Sequence, residues 1–283
     1  MATSSTSSST FVVEILCPLI GTFLANMSFL APCASLRVAV ARGSLGDLNP
    51  TPWALMTGNC IGWVAYSYLT SNLFVFFANC PGILLSMWMN MGAIKLQHME
   101  HVMKNQRNGV ESSMPLDRDD DNNEDEERIF SSSLISGNRH EIKVFIIILF
   151  WIILSSIVGL NHQMDQNTKQ TIVGMFVNAN LMLFFGSPLT TIFTVIKTKN
   201  SCSIHRKTMI MNTAMGTFWY IYGLAIADAF IYIPNGIGVI LGIVQANLCF
   251  RYPDYRVHET DNGTGRNTHK AAYNVANQND PIC

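Results

Sequence analysis

The chain has 283 residues, 49% of them hydrophobic and only 13% charged, with a formal net charge of −1. This is too apolar and too sparsely charged for a soluble domain of its length, and it reads as a polytopic membrane protein. The balanced charge points to no partner of either sign, and no nucleic acid is expected as one.

Residues 1–10 form a Ser/Thr-rich extracellular tail without a basic n-region, so no cleaved signal peptide is expected and the first helix starts translocation itself. Uncharged runs over 15–36, 48–94, 144–164, 170–196, 208–227 and 229–250 each reach the roughly 20 residues that a bilayer helix needs. The second run spans 47 residues and breaks at the polar turn Thr70-Ser-Asn72, so it holds two helices and the total is seven. The pattern predicts a first helix at 12–37 containing Pro32, a second at 52–69 opening on Pro50-Thr-Pro52, and a third at 73–94 carrying Asn79 and Pro81. Between 97 and 141 lies a polar insert with an acidic core at 117–127. It lacks the glycine and spacing of a calcium loop, so a solvated cytoplasmic linker is expected and no metal site. The fourth helix, 142–160, is apolar all round and suggests no chemistry. Helices five to seven are expected at 171–196, 206–227 and 229–250, followed by a polar, disordered tail at 251–283.

Seventeen of the eighteen Lys and Arg residues follow the first, third, fifth or seventh helix, and only Lys169 lies opposite. Positive side chains are retained on the cytoplasmic side, which puts the N-terminus outside and the C-terminus in the cytoplasm. The plasma membrane is the expected location, with vacuolar or Golgi membranes behind it. Seven cysteines are scattered without a C-x-x-C pair and read as small apolar packing residues.

An internal repeat organises the helices. Sliding the chain on itself by 156 residues pairs Pro32 with Pro188, Trp63 with Trp219, Tyr66 with Tyr222, Phe74 with Phe230, Asn79 with Asn235 and Gly82 with Gly238. Each copy has three crossings, an odd number, so a lone fourth helix is needed to restore the orientation. The expected fold is an all-α membrane protein, two parallel three-helix bundles joined by a linker helix in a 3+1+3 order. The repeats are expected at 11–96 and 171–250, with the linker helix at 142–160.

Asn79 and Asn235 stand in helices free of charge, where an unpaired amide costs a few kcal/mol unless a neighbour or a ligand satisfies it. An amide offers one acceptor and two donors, and an indole offers a flat apolar face plus one N–H. Residues alone leave two readings open, a ligand site or interhelical glue and packing.

The motifs Phe29-Leu-Ala-Pro32, Pro50-Thr-Pro52 with Asn59-Cys60, Gly186-Ser-Pro-Leu189, Ile196-Lys-Thr-Lys199, Trp219-Tyr-Ile-Tyr222 and Ile233-Pro-Asn235-Gly-Ile-Gly238 resemble those of SWEET sugar transporters with MtN3/saliva-type repeats. The resemblance covers about residues 11–252. It implies a sugar as substrate, no cofactor, and substrate binding by Asn79, Asn235, Trp63 and Trp219. It further implies hinges and an inner gate at Pro32, Pro52 and Pro188, with His205 standing where the family has a fourth proline. Tyr66 and Asp228 are implied as an outer gate. Beside the sugar, membrane lipid is the expected partner. One repeat pair can form a pathway, so a monomer could transport, although oligomers are common in the family.

Ion-coupled carriers need ionisable groups within the membrane, and Glu14 near an outer end is the deepest here. The expectation is therefore a bidirectional facilitative uniporter working by alternating access, not an enzyme, with hexose slightly favoured over disaccharide. A PQ-loop carrier of another small solute is the alternative, but Cys33 and Leu189 stand where that class has Gln. A seven-helix receptor is weaker, because it would lack the repeat.

Overall fold

A computed structural model describes residues 10–46, 48–112 and 139–253; the acidic core at 117–127 and the tail beyond 253 lie outside them. Among the described residues the chain is all-helical. A π-helical turn, Val12–Leu16, leads into α1, Cys17–Arg42; α2 is Thr51–Thr70, α3 Leu73–Ser112, α4 Arg139–Leu160, α5 Gln166–Thr198, α6 Arg206–Ala225 and α7 Ala229–Arg251. The seven helices follow the 3+1+3 order. α3 runs on well past the expected end at 94, because Lys95 to Ser112 holds no proline and only one glycine.

Among the described residues five stretches are long and apolar enough to cross a membrane: Val12–Arg42, Leu73–Lys104, Arg139–Leu160, Gln166–Thr198 and Ala229–Arg251. The helices α2 and α6 are 20 residues each and fall short of that standard. Their composition explains it, since both mix Thr, Asn and Gly with the Trp and Tyr that they bury. Buried Gly216, Trp219, Tyr222 and Gly223 of α6 match buried Cys60, Trp63, Tyr66 and Ser67 of α2 under the 156-residue shift. Helices that turn a polar face to protein need less hydrocarbon character than helices facing lipid.

The chain divides into two compact units, Thr22–Asn180 and Met1–Gly21 with Leu181–Cys283. The borders fall inside α1 and α5, so the first helix of each repeat gives its start to one unit and its remainder to the other. In the larger unit, Trp151 of α4 lies against Gly58 and Gly62 of α2, where any side chain would collide with the indole. The start of α5 joins the same packing through Val177 against Gly62 and through Gln166 and Gln170. These two glutamines donate to the Leu69 carbonyl at 2.6 and 3.0 Å, capping the end of α2. Asp165 caps α5, accepting from Thr168 Oγ1 at 2.6 Å and Thr168 N at 3.0 Å, and these bonds hold its carboxyl below the usual carboxylate range. In the second unit α6 packs on α7, and the indole of Trp219 lies over Gly21 of α1.

The repeat extends to backbone detail. Gly43 and Lys199, which the shift pairs, both follow a first helix in the left-handed region, at φ 78° and 54°. Ser71 and Ala227 do the same after the second helix, at φ 53° and 55°. Asn72 and Asp228 then cap the third helix of each repeat, accepting from Val75 N at 3.2 Å and Phe230 N at 3.0 Å. A left-handed alanine is strained because its Cβ crowds the backbone. Ala227→Gly is therefore expected to stabilise the detergent-solubilised protein by up to about 1 kcal/mol, read as a raised thermal midpoint.

Candidate functional site

Asn79 and Asn235 occupy the same place in their own helices, six residues beyond Leu73 and Ala229, or about 9 Å in at the helical rise. Each amide turns back on its helix. Asn79 Nδ2 donates to Val75 O at 2.9 Å and Asn235 Nδ2 to Ile231 O at 2.8 Å. In both, that leaves Oδ1 and one N–H uncommitted on a half-buried side chain. Three residues on, Gly82 lies under the ring of Phe29, and Gly238 under that of Phe185. A Cβ on Gly82 would come within 2.7 Å of Phe29 Cε2, and one on Gly238 within 3.6 Å of Phe185 Cε1. So each repeat clamps its asparagine helix to its first helix in the same way.

The tryptophans repeat the pattern. Trp63 and Trp219 are each 7% exposed, and each meets the tyrosine three residues on edge to face, with ring centroids 5.7 and 5.8 Å apart at 88° and 72°. Such T-shaped pairs hold the indole in one orientation. Tyr66 is buried beside Trp63, and Asp228 uses its carboxylate to cap α7.

The prolines differ in kind. Pro32 and Pro188 sit inside α1 and α5, where each removes a helix bond. Pro52 lies in the first turn of α2, where the N–H has no helical partner to lose, so it presets the helix start and does not kink the interior. His205 is exposed at the start of α6, with Nδ1 2.9 Å from Thr208 Oγ1, and Thr208 is the residue the shift pairs with Pro52.

Several polar residues of this region escape sequence reasoning. Pro81 lacks an N–H and so frees the Phe77 carbonyl, which Asn26 Nδ2 of α1 takes up at 3.2 Å. Asn59, one turn before Trp63 on α2, has its Oδ1 buried without a hydrogen-bond partner among the described residues. Spacing held the signal for Asn59, since residues four apart share a helix face.

The fold and the paired residues define a helical membrane protein made of two copies of a three-helix unit around a linker helix, with an Asn and a Trp at matched positions in each copy. A family model described as "Sugar efflux transporter for intercellular exchange" matches residues 171–256. The chain is 27% identical over 238 residues to "Sugar transporter SWEET1" of Dictyostelium discoideum, covering 82% of this chain and 90% of that protein. It is 26% identical over 237 residues to "Bidirectional sugar transporter SWEET7" of Arabidopsis thaliana, covering 83% and 78%. Its likeness to "Sugar transporter SWEET1" of Drosophila pseudoobscura pseudoobscura is 34% over 118 residues, about half of that protein at 52%. The structure of a eukaryotic SWEET transporter has the same fold, with a TM-score of 0.65 at 20% identity, covering 86% of this chain and 98% of that one. Over most of its length the chain is similar to SWEET-named sugar transporters, and it shares the fold of one.

Proposed function

We propose that the chain is a sugar transporter, not an enzyme, and that it works as a bidirectional facilitative uniporter with a preference for hexose. The observation that carries this reading is the duplicated geometry: in both repeats an Asn with an uncommitted amide oxygen accompanies a buried Trp held edge-on by Tyr. Asn79, Asn235, Trp63 and Trp219 are assigned to sugar binding, the amides to hydroxyls and the indoles to the C–H faces. Asn59 joins them, because a sugar hydroxyl would satisfy its buried Oδ1. Pro32 and Pro188 serve as hinges, Pro52 and His205 stand at the inner gate, and Tyr66 with Asp228 form the outer gate. The charge pattern supports an N-terminus outside and a C-terminus in the cytoplasm, the plasma membrane is the assigned location, and one chain holds both repeats, so a monomer suffices to form a pathway and a homo-oligomer is compatible with transport.

Uptake of radiolabelled glucose by a hexose-transport-deficient cell tests the mechanism. The internal sugar is expected to rise to the external concentration, no further, and to be indifferent to a protonophore. Accumulation above that level, collapsed by the protonophore, would overturn uniport; uptake of sucrose but not glucose would overturn the hexose preference.

A further inference from the structure

Four polar side chains, Thr57, Ser86, Asn90 and His140, are buried together between α2, α3 and the start of α4, none more than 4% exposed. They form one hydrogen-bonded chain. Ser86 Oγ donates to Ile83 O at 3.0 Å, and Thr57 Oγ1 lies 2.8 Å from Ser86 Oγ. Asn90 Nδ2 faces three acceptors, Ser86 O at 2.8 Å, Thr57 Oγ1 at 2.9 Å and Trp53 O at 3.2 Å. Two of these are carbonyls, which can only accept, so this end of the amide must be its NH2. The oxygen therefore faces His140, and His140 Nε2 lies 2.8 Å from it. An amide oxygen also only accepts, so Nε2 carries the proton.

That bond leaves Nδ1, which is buried and has no hydrogen-bond partner among the described residues. In the neutral ring it is a lone pair. Protonation would turn it into a buried N–H with no acceptor among the described residues, carrying a charge that none of them offsets. The charged groups nearby offer no relief. On α4, Arg139, Glu141 and Lys143 are exposed, and Lys143, one turn on, is of like sign and reaches for Thr51 Oγ1 at 3.4 Å. On α3, Lys95 and His98 are exposed, and the Glu100 carboxylate is held by Leu45 N at 2.6 Å. Between Thr51 and Thr70, α2 carries no Asp, Glu, Lys, Arg or His.

The second repeat lacks this network. The shift turns Thr57, Ser86 and Asn90 into Thr213, Gly242 and Ala246, and Thr213 donates to its own helix at Met209 O and lies against Gly242. The network occurs in the unit that holds the linker helix, and the residue that completes it is on that helix.

We propose that His140 is a positioning residue whose neutral form, protonated on Nε2, pins the start of α4 to α2 and α3, and whose second protonation releases that pin, so that acidification of the adjoining compartment slows transport. Only the last clause rests on the sugar-transport reading. His140→Gln keeps an N–H donor within reach of Asn90 but cannot titrate, and the remaining histidines are common to both proteins. In detergent, between about pH 8 and about pH 5.5, the range in which a histidine changes charge, the parent is expected to lose several degrees more of thermal midpoint than the variant. In proteoliposomes the parent's maximum rate is expected to fall severalfold over that range with KM unchanged, and the variant's to stay flat. The ring 15N signals of His140 in the parent, which need no variant, should show Nε2 protonated and Nδ1 bare at neutral pH. Equal pH losses in parent and variant, or a ring that is cationic or protonated on Nδ1 at neutral pH, overturn the proposal. Stability and ring signals as expected with no uptake of any sugar would overturn the transport reading and leave the pin in place.

Discussion

Asn79→Ala and Asn235→Ala are each expected to lower sugar uptake by about tenfold or more, a ratio worth roughly 1.4 kcal/mol, while the protein still reaches the membrane in normal amount. The separation of these two effects follows from how the amides are held. Each Nδ2 donates to the carbonyl four residues back, Val75 O or Ile231 O, which sits in a helix where the backbone N–H of the same asparagine already points. Deleting the side chain removes a second bond to an acceptor that keeps its first, so folding loses little. What is lost is the uncommitted oxygen and N–H, which have no other role among the described residues. Uptake of radiolabelled hexose, set against surface labelling of each variant, separates the two. Normal uptake by both variants at normal surface level would remove the asparagines from the sugar site.

Gly223→Ala is expected to be the most damaging small change in the second unit, costing about 1 to 3 kcal/mol, the usual range for overpacking. A Cβ there would stand 2.7 Å from the backbone nitrogen of Tyr232, 2.9 Å from Ile231 Cγ2 and 3.0 Å from Tyr232 Cβ. A side chain can rotate away, but a backbone nitrogen cannot, so α6 and α7 must part at the level of Trp219, Tyr222 and Asn235. Gly242→Ala meets Thr213 instead, and adding Thr213→Ala should relieve it, because there the obstacle is a side chain. Gly159→Ala is the control. A Cβ on Gly159 meets nothing within 4 Å, so an alanine in that helix should be neutral or stabilising by up to about 1 kcal/mol. Thermal midpoints of the four variants and the parent in one detergent rank the cases; a Gly223→Ala protein as stable as the parent would show that the helices separate without cost.

Much of this molecule is legible in its residues. Charge-free runs and the polar turn at Thr70-Ser-Asn72 count the helices, because hydrocarbon tolerates no charge and every backbone group must be paired within a helix. The 156-residue register carries further than pairs of letters: it reaches the left-handed residues Ser71 and Ala227, the caps Asn72 and Asp228, and the edge-on rings of Trp63 and Trp219. Such features are local, and local conformation depends on neighbours a few positions away.

The rest is long-range, and a linear pattern does not contain it. The fourth helix reads as featureless because Ile, Leu and Phe surround it, yet Trp151 is seated on Gly58 and Gly62, and His140 closes a buried chain that starts on α2 and α3. Asn26, in the middle of α1, has its reason 51 residues away, in a carbonyl that Pro81 sets free. By itself the sequence determined the number of helices and their repeat, since these follow from hydrophobicity and backbone chemistry. Only the tertiary structure decided which amides also meet a distant carbonyl, as Asn26 meets Phe77, and which, like Asn79 and Asn235, keep an atom to bind with, because such a bond is a matter of distance between groups that the chain brings together from far apart.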